Sequence, residues 1–413
     1  MDTRSVHAAA HLPVFEPSNE QKCRSQLAAF MNYCARRAHR KFGDYPSFEQ
    51  FCIERYDQFW PLLLEWSAIL RDGSLEPVVT CGECEITEFF PALRLNYVEN
   101  LLRTDLSPCA ASQPALTAVH LDRPTEHWSR GELRERVNAL AGALTGLGLI
   151  PGSRVAIVAP NSPGAIVGCL AAAAIGCTVS TGSPEMGSLA LSSRLAQTEP
   201  VLLMLDLSES VSGAGHQQRG RLIEMVRALP SVRAVLLLDD GPPPDCLDIP
   251  SFGATGMLEQ HLGAAVPWPR LPFNHPLFVL FTSGTTGAPK CLVHGAGGTL
   301  IEHVKEHRLH CDLRGTDRLF FQTSTGWMMW NWQLTALASG VELVLYDGPF
   351  TGVDQLWRIV SEQRVTVFGT SPAYLQMCEG CNWLPDPGLC FTSLRAILST
   401  GSILHPPQQQ WVW

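Results

Sequence analysis

Between residues 48 and 102 large apolar side chains recur at helical spacing, among them Phe51, Tyr56, Phe59, Trp60, Leu63 and Trp66. This spacing predicts an amphipathic helical segment packed on a larger body. After a polar stretch over 104–113 the period changes. Residues 116–120 read as a strand, and Ser129 with Glu132 three residues on is a capping-box signature for a helix reaching about residue 147. The turn Pro151-Gly152 precedes an apolar run over 155–159, read as a buried strand. The apolar run over 165–179 is read as a buried helix, about 163–175, passing into a strand. Further strands are expected at 201–205 and 235–238, with a helix over 222–229 between them.

Short apolar strands alternating with helices are what βαβ crossovers in a largely parallel sheet require, so the fold class is α/β. A loop rich in Gly, Pro and Asp over 239–270 precedes a second series of strands at 277–282, 318–322, 341–346, 365–369 and 394–399. Helices are expected between them at 297–311, 327–339 and 353–363. The expected division is a helical segment over 1–105, a first α/β subdomain over 106–265 and a second, incomplete one over 266–413. The last ten residues continue neither a strand nor a helix pattern.

Composition narrows the function classes. The 413 residues are 46% hydrophobic and 17% charged, which suits folded domains with full cores. Thirty Lys and Arg against 39 Asp and Glu give a formal charge of -9, so no overall basic field exists to hold a nucleic-acid backbone. The apolar run over 165–179 is shorter than the roughly 20 residues that span a bilayer. The start of the chain has no continuous apolar core of a secretory signal, so a cytosolic setting is expected. Its 14 cysteines are then reduced thiols. The pairs Cys81/Cys84 and Cys378/Cys381 would have to meet across almost the whole chain to form a zinc site, and chance is the preferred reading.

The most informative segment follows the strand at 277–281: Thr282-Ser283-Gly284-Thr285-Thr286-Gly287-Ala288-Pro289-Lys290. Glycines allow close backbone approach and leave N–H groups free, hydroxyls donate to phosphate oxygens, and Lys290 supplies a compact positive charge. An ordinary Ser/Thr/Gly surface loop is the plain alternative. A Walker A loop is disfavoured, because Ala288 and Pro289 separate the second glycine from the lysine and Cys291 follows it. His294 and His303 lack a third ligand for a metal and are read as structural or pocket-rim residues. Ser283 sits in no G-x-S-x-G elbow, so phosphate binding suits it better than nucleophilic attack. The run Gly326-Trp327-Met328-Met329-Trp330-Asn331-Trp332 reads on pattern alone as core.

The loop resembles the signature of the adenylate-forming superfamily, with Thr282, Ser283, Gly284, Thr285, Thr286, Gly287 and Lys290 matching position for position. The resemblance runs from about residue 45 to 401 and is nearest to the acetoacetyl-CoA synthetase branch, through the segments over 288–294, 296–303, 94–102 and 183–187. It implies an adenylate-forming α/β amino-terminal domain with parallel-rich sheets that uses ATP, Mg²⁺ and coenzyme A. The implied reaction activates acetoacetate, a short acid, to an acyl-adenylate and then to acetoacetyl-CoA. Small molecules are the implied partners, without nucleic acid or a membrane span. By the same resemblance, the loop holds the β- and γ-phosphates, with Lys290 and Thr286 in the catalytic role. Trp327, Met328 and Met329 wall a short acyl pocket, Thr400 forms its floor, and Gly401 and Ser402 lie against adenine.

Gly401-Ser402-Ile403 departs from the branch's Gly-Ser-Pro. The family's downstream adenine-covering, ribose-binding and hinge segments, and its mobile domain with a catalytic lysine, are not found in these residues. The expectation is therefore a chain inactive by itself and prone to aggregate at its last strand. It is either the larger part of a ligase or a non-catalytic nucleotide-binding or partner-binding remnant.

Overall fold

The computed structural model describes residues 15–80, 86–105, 109–207, 215–239, 241, 247–282 and 289–413, without the side chains of 215–219. Four helices, Asn19–Arg24, Gln26–Arg37, Tyr45–Glu54 and Tyr56–Trp66, form the leading segment. Ser18, Ser25 and Asp44 cap the first three by accepting backbone N–H groups of the first turn. Phe30 is fully buried among them, edge-on to Phe48 at 6.1 Å and to Phe59 at 5.7 Å between ring centroids. The segment docks on the body through Gln26, whose backbone N donates to Asp312 Oδ1 at 2.9 Å and whose Nε2 donates to the Leu313 carbonyl at 2.8 Å. The Arg308 guanidinium covers the Trp66 ring at 3.9 Å.

The body contains a seven-stranded and a six-stranded sheet. The larger runs Cys291–Gly295, Pro276–Phe281, Thr178–Gly182, Arg154–Val158, Leu202–Leu205, Ala234–Leu237, Ser251–Gly253, parallel except at the first pair. The smaller runs Ala396–Ser399, Val367–Thr370, Arg318–Phe321, Glu342–Tyr346, Pro114–Val119, Glu126–Ser129, parallel except at the last pair. Strands in the middle of these sheets are covered on both faces, which is why they read as unbroken apolar runs. A small third sheet joins Asp72–Gly73, Leu93–Leu95 and Leu271–Pro272.

Sheet membership differs from chain order. Pro114–Val119, in the first series by sequence, pairs with Glu342–Tyr346 of the second series. Pro276–Phe281, at the head of the second series, pairs with Thr178–Gly182 of the first. Periodicity reports that a strand is buried on both faces but not which neighbour buries it. The loop over 239–270 contains structure of its own: the strand Ser251–Gly253 and the helix Ala254–His261, beside the long helix Arg130–Gly146. That long helix carries the expected capping box, with Glu132 Oε2 accepting the Ser129 N–H at 2.7 Å and Ser129 Oγ accepting the Glu132 N–H at 3.2 Å. Near the end, Pro406–Val412 is helical where no helix was expected. A proline in its first turn fits a helix start, and the Gln-rich sequence gives no apolar period to see. Among the described residues no helix is long and apolar enough to cross a membrane.

Candidate functional site

In a parallel sheet the carboxyl ends of the strands share one edge, where ligands of open α/β sheets bind. Here the two sheets bring such edges together. Arg154–Val158 leads to Asn161, Thr178–Gly182 to Ser183, Arg318–Phe321 to Gln322, Glu342–Tyr346 to Asp347, and Ala396–Ser399 to Thr400. All five residues line one cavity of about 750 Å³. Thr325, fully buried, fastens the junction: its hydroxyl lies 2.7 Å from the Ala159 carbonyl and 3.0 Å from that of Gly182, both at strand ends of the larger sheet. In return the Thr181 hydroxyl donates to the Thr325 carbonyl at 2.5 Å.

The fastening positions the run that follows. Trp327, Met328 and Met329 line the cavity, with Trp327 66% and Met328 47% exposed, while Trp330 and Trp332 are buried. One sequence run therefore divides, its first three large side chains facing the cavity and its later tryptophans entering the core. Thr400, Gly401 and Ser402 line the same cavity from the carboxyl end of the strand Ala396–Ser399. Gly401 has φ +98°, a left-handed conformation that favours glycine and turns the chain away from the strand.

The segment resembling a phosphate cradle connects the two strands of a hairpin, Pro276–Phe281 and Cys291–Gly295, which pair antiparallel. Its base is closed by Thr282 N–H to the Lys290 carbonyl at 3.0 Å and by Lys290 N–H to Thr282 Oγ1 at 3.1 Å. The Lys290 side chain is exposed and forms no ion pair among the described residues. Ser283, Gly284, Thr285, Thr286 and Gly287 lie outside the described residues, as do Cys81 and Cys84. The hairpin starts at the edge where Gly182 and Phe281 end neighbouring parallel strands, and Ser183 there belongs to the cavity.

Sequence reading did not single out Asn161, Gln322, Asp347 or Thr370, all of which line the cavity. Their one local signal is position, at the end of an apolar strand or within three residues after it. Asp347 is held by His120 Nδ1 at 2.8 Å and Arg123 at 3.1 Å. Of the two histidines, His303 is structural. It is buried, its Nδ1 lies 2.8 Å from Thr335 Oγ1, and Tyr97 OH meets the same hydroxyl at 2.7 Å. Burial, helped by nearby His294, pushes the His303 pKa down to about 3, so the ring is neutral. His294 is partly buried and shifted down for the same reason. Among the described residues no group of three His, Cys, Asp or Glu is placed to hold a metal ion.

Residues 107–413 match the family described as AMP-binding enzyme, and the chain belongs to that family. Within it, the chain is 35% identical over 408 residues to the acetoacetyl-coenzyme A synthetase of Rhizobium meliloti (strain 1021), covering 98% of this chain and 62% of the relative. It is 34% identical over 414 residues to the acetoacetyl-CoA synthetase of Mus musculus, covering 97% of this chain and 60% of that protein. The solved acetoacetyl-CoA synthetase from Streptomyces lividans superimposes with a TM-score of 0.89 at 34% identity, over 97% of this chain and 62% of that one. The chain thus spans about 60% of the length of the curated relatives it matches.

Proposed function

We propose that the protein activates a short carboxylic acid, acetoacetate in the first place, with ATP and passes the acyl group to coenzyme A. One observation carries this reading: bulky Trp327 to Met329 and Thr400 to Ser402 line one cavity where the two sheets meet, in a member of the AMP-binding enzyme family. In the first step a carboxylate oxygen attacks the α-phosphorus of ATP, the new P–O bond forms and pyrophosphate leaves with the bond's electron pair. In the second step the thiol sulfur of coenzyme A attacks the acyl carbon, loses its proton and expels AMP. Mg²⁺ would arrive as the counter-ion of ATP.

This chain's own contribution is positioning and charge. Lys290 and the hydroxyls of Thr282, Ser283, Thr285 and Thr286 would contact the β- and γ-phosphates, with the Gly284 and Gly287 backbone close beside them. Gly401 and Ser402 would lie along adenine, and Thr400 would close the acid end of the cavity. Trp327, Met328 and Met329 shorten the space left for the acyl chain. The cytosol is the setting we infer, in keeping with the unpaired state of the described cysteines.

The test is acid-dependent pyrophosphate exchange by the protein over acetoacetate, acetate, butyrate and octanoate, alongside its binding of acid and ATP. Exchange and binding strongest with the short acids are expected. Octanoate as the best substrate, or no acid binding in the presence of ATP, would remove the proposal.

A further inference from the structure

Asn161 is 5% exposed and lines the cavity just beyond the strand Arg154–Val158. Its side chain is a primary amide, which can face a ligand with either an acceptor or a donor. The neighbour that decides between them is Trp330. An indole N–H can only donate, and Trp330 Nε1 lies 2.8 Å from Asn161 Oδ1. Gln333 Nε2, a second donor, approaches the same oxygen at 3.5 Å. The Trp330 ring is fully buried, so the amide is oriented by a group that cannot swing away. With its oxygen turned to the indole, the amide leaves its nitrogen free. Asn161 Nδ2 has no hydrogen-bond partner among the described residues, yet it is not sealed from the cavity.

Resting on the acid-activation reading above, we propose that Asn161 Nδ2 donates to a second oxygen of the acid and makes the cavity select 3-oxo acids over saturated acids of equal length. Asn161 is then a specificity-determining residue, and Trp330 is a positioning residue that acts through it. Met328 and Met329 in the cavity wall offer nothing to a ketone. A polar donor fixed in such a wall penalises any acid that leaves it unpaired, and this is how a polar pocket rejects an analogue lacking one oxygen.

The test compares acetoacetate with butyrate, which has the same carbon count without the ketone, by pyrophosphate exchange with the protein. Asn161→Leu is expected to lower the acetoacetate-to-butyrate ratio of kcat/KM by about 3- to 10-fold, the span of one neutral hydrogen bond. Trp330→Phe leaves Asn161 in place but removes the donor that orients it, and should lower the same ratio by a smaller factor. Should Asn161→Leu prove insoluble, Asn161→Asp decides the matter, since it keeps an acceptor for Trp330 and turns an oxygen towards the ketone. Its ratio should fall as well. Wild-type protein that uses both acids, with an unchanged ratio in the soluble variants, overturns the assignment of Asn161 alone. Wild-type protein that uses neither acid refutes the acid-activation reading and the assignment with it.

Discussion

Two buried histidines should make the stability of this protein fall steeply on mild acidification. His303 and His307 are 7% and 0% exposed, on consecutive turns that pack against the helix Met328–Thr335. Burial pushes His303 down to about 3, and it pushes His307 well below its ordinary value, with His303 adding to the effect. Neither ring nitrogen of His307 has a hydrogen-bond partner among the described residues. Both rings are therefore neutral when folded and titrate near 6.5 when unfolded. Below the unfolded pKa the unfolded chain binds protons that the folded chain refuses, so stability is present above about pH 6.5 and is lost as pH falls towards the folded values. Between about pH 7.5 and about pH 5.5 each histidine removes about 1.4 kcal/mol, or about 2.7 kcal/mol for the pair. Urea unfolding followed by tryptophan fluorescence across this interval measures the slope, and His303→Gln and His307→Gln should each lose one histidine's share of it. A stability that stays flat, or a double variant that keeps the full slope, would refute the claim that these rings are buried and neutral.

Other consequences concern the site. Lys290→Ala and Thr286→Ala should each slow pyrophosphate exchange by the loss of a charge-assisted phosphate contact, typically about 1.5–3 kcal/mol; unchanged rates and ATP Michaelis constants in both would remove the phosphate assignment. Thr325→Val keeps the shape but deprives the buried Ala159 carbonyl of its 2.7 Å partner, at about 1–3 kcal/mol by urea unfolding, and should also weaken acid binding because the loop carrying Trp327 loses its fastening. Equal stability and equal acid affinity would show that the contact is incidental. Met329→Ala should move the best acid towards longer chains in the same substrate panel, and an unaltered profile would take Met329 out of the pocket wall.

What the sequence shows and what it conceals divide along a physical line. The helix Arg130–Gly146 was legible because its start is written within four residues, Ser129 to Glu132. The strands Arg154–Val158 and Leu202–Leu205 were legible because burial on both faces makes the positions 155–158 and 202–205 apolar. Glu126–Ser129 and Cys291–Gly295 were not seen: each is an antiparallel edge strand, and Leu292 and Val293 stand 50% and 59% exposed. Partnership across the chain is harder still. Nothing within residues 114–119 announces a partner at 342–346, and so the two sheets could not be assembled from their strands.

The cavity extends this argument to single side chains. Trp327 and Trp330 are of one type and three positions apart, yet one is 66% exposed at the cavity and the other is fully buried. What separates them is the fastening of Thr325 to Ala159 and Gly182, segments about 140 to 170 residues earlier in the chain. Asn161 takes its orientation from Trp330, 169 residues away, and without that neighbour its amide is equally an acceptor or a donor. Local pattern can therefore supply the wall of such a site, because bulk is a property of the residue. The direction in which a polar group presents its donor belongs to a pair of residues, and only the packed sheets bring that pair together.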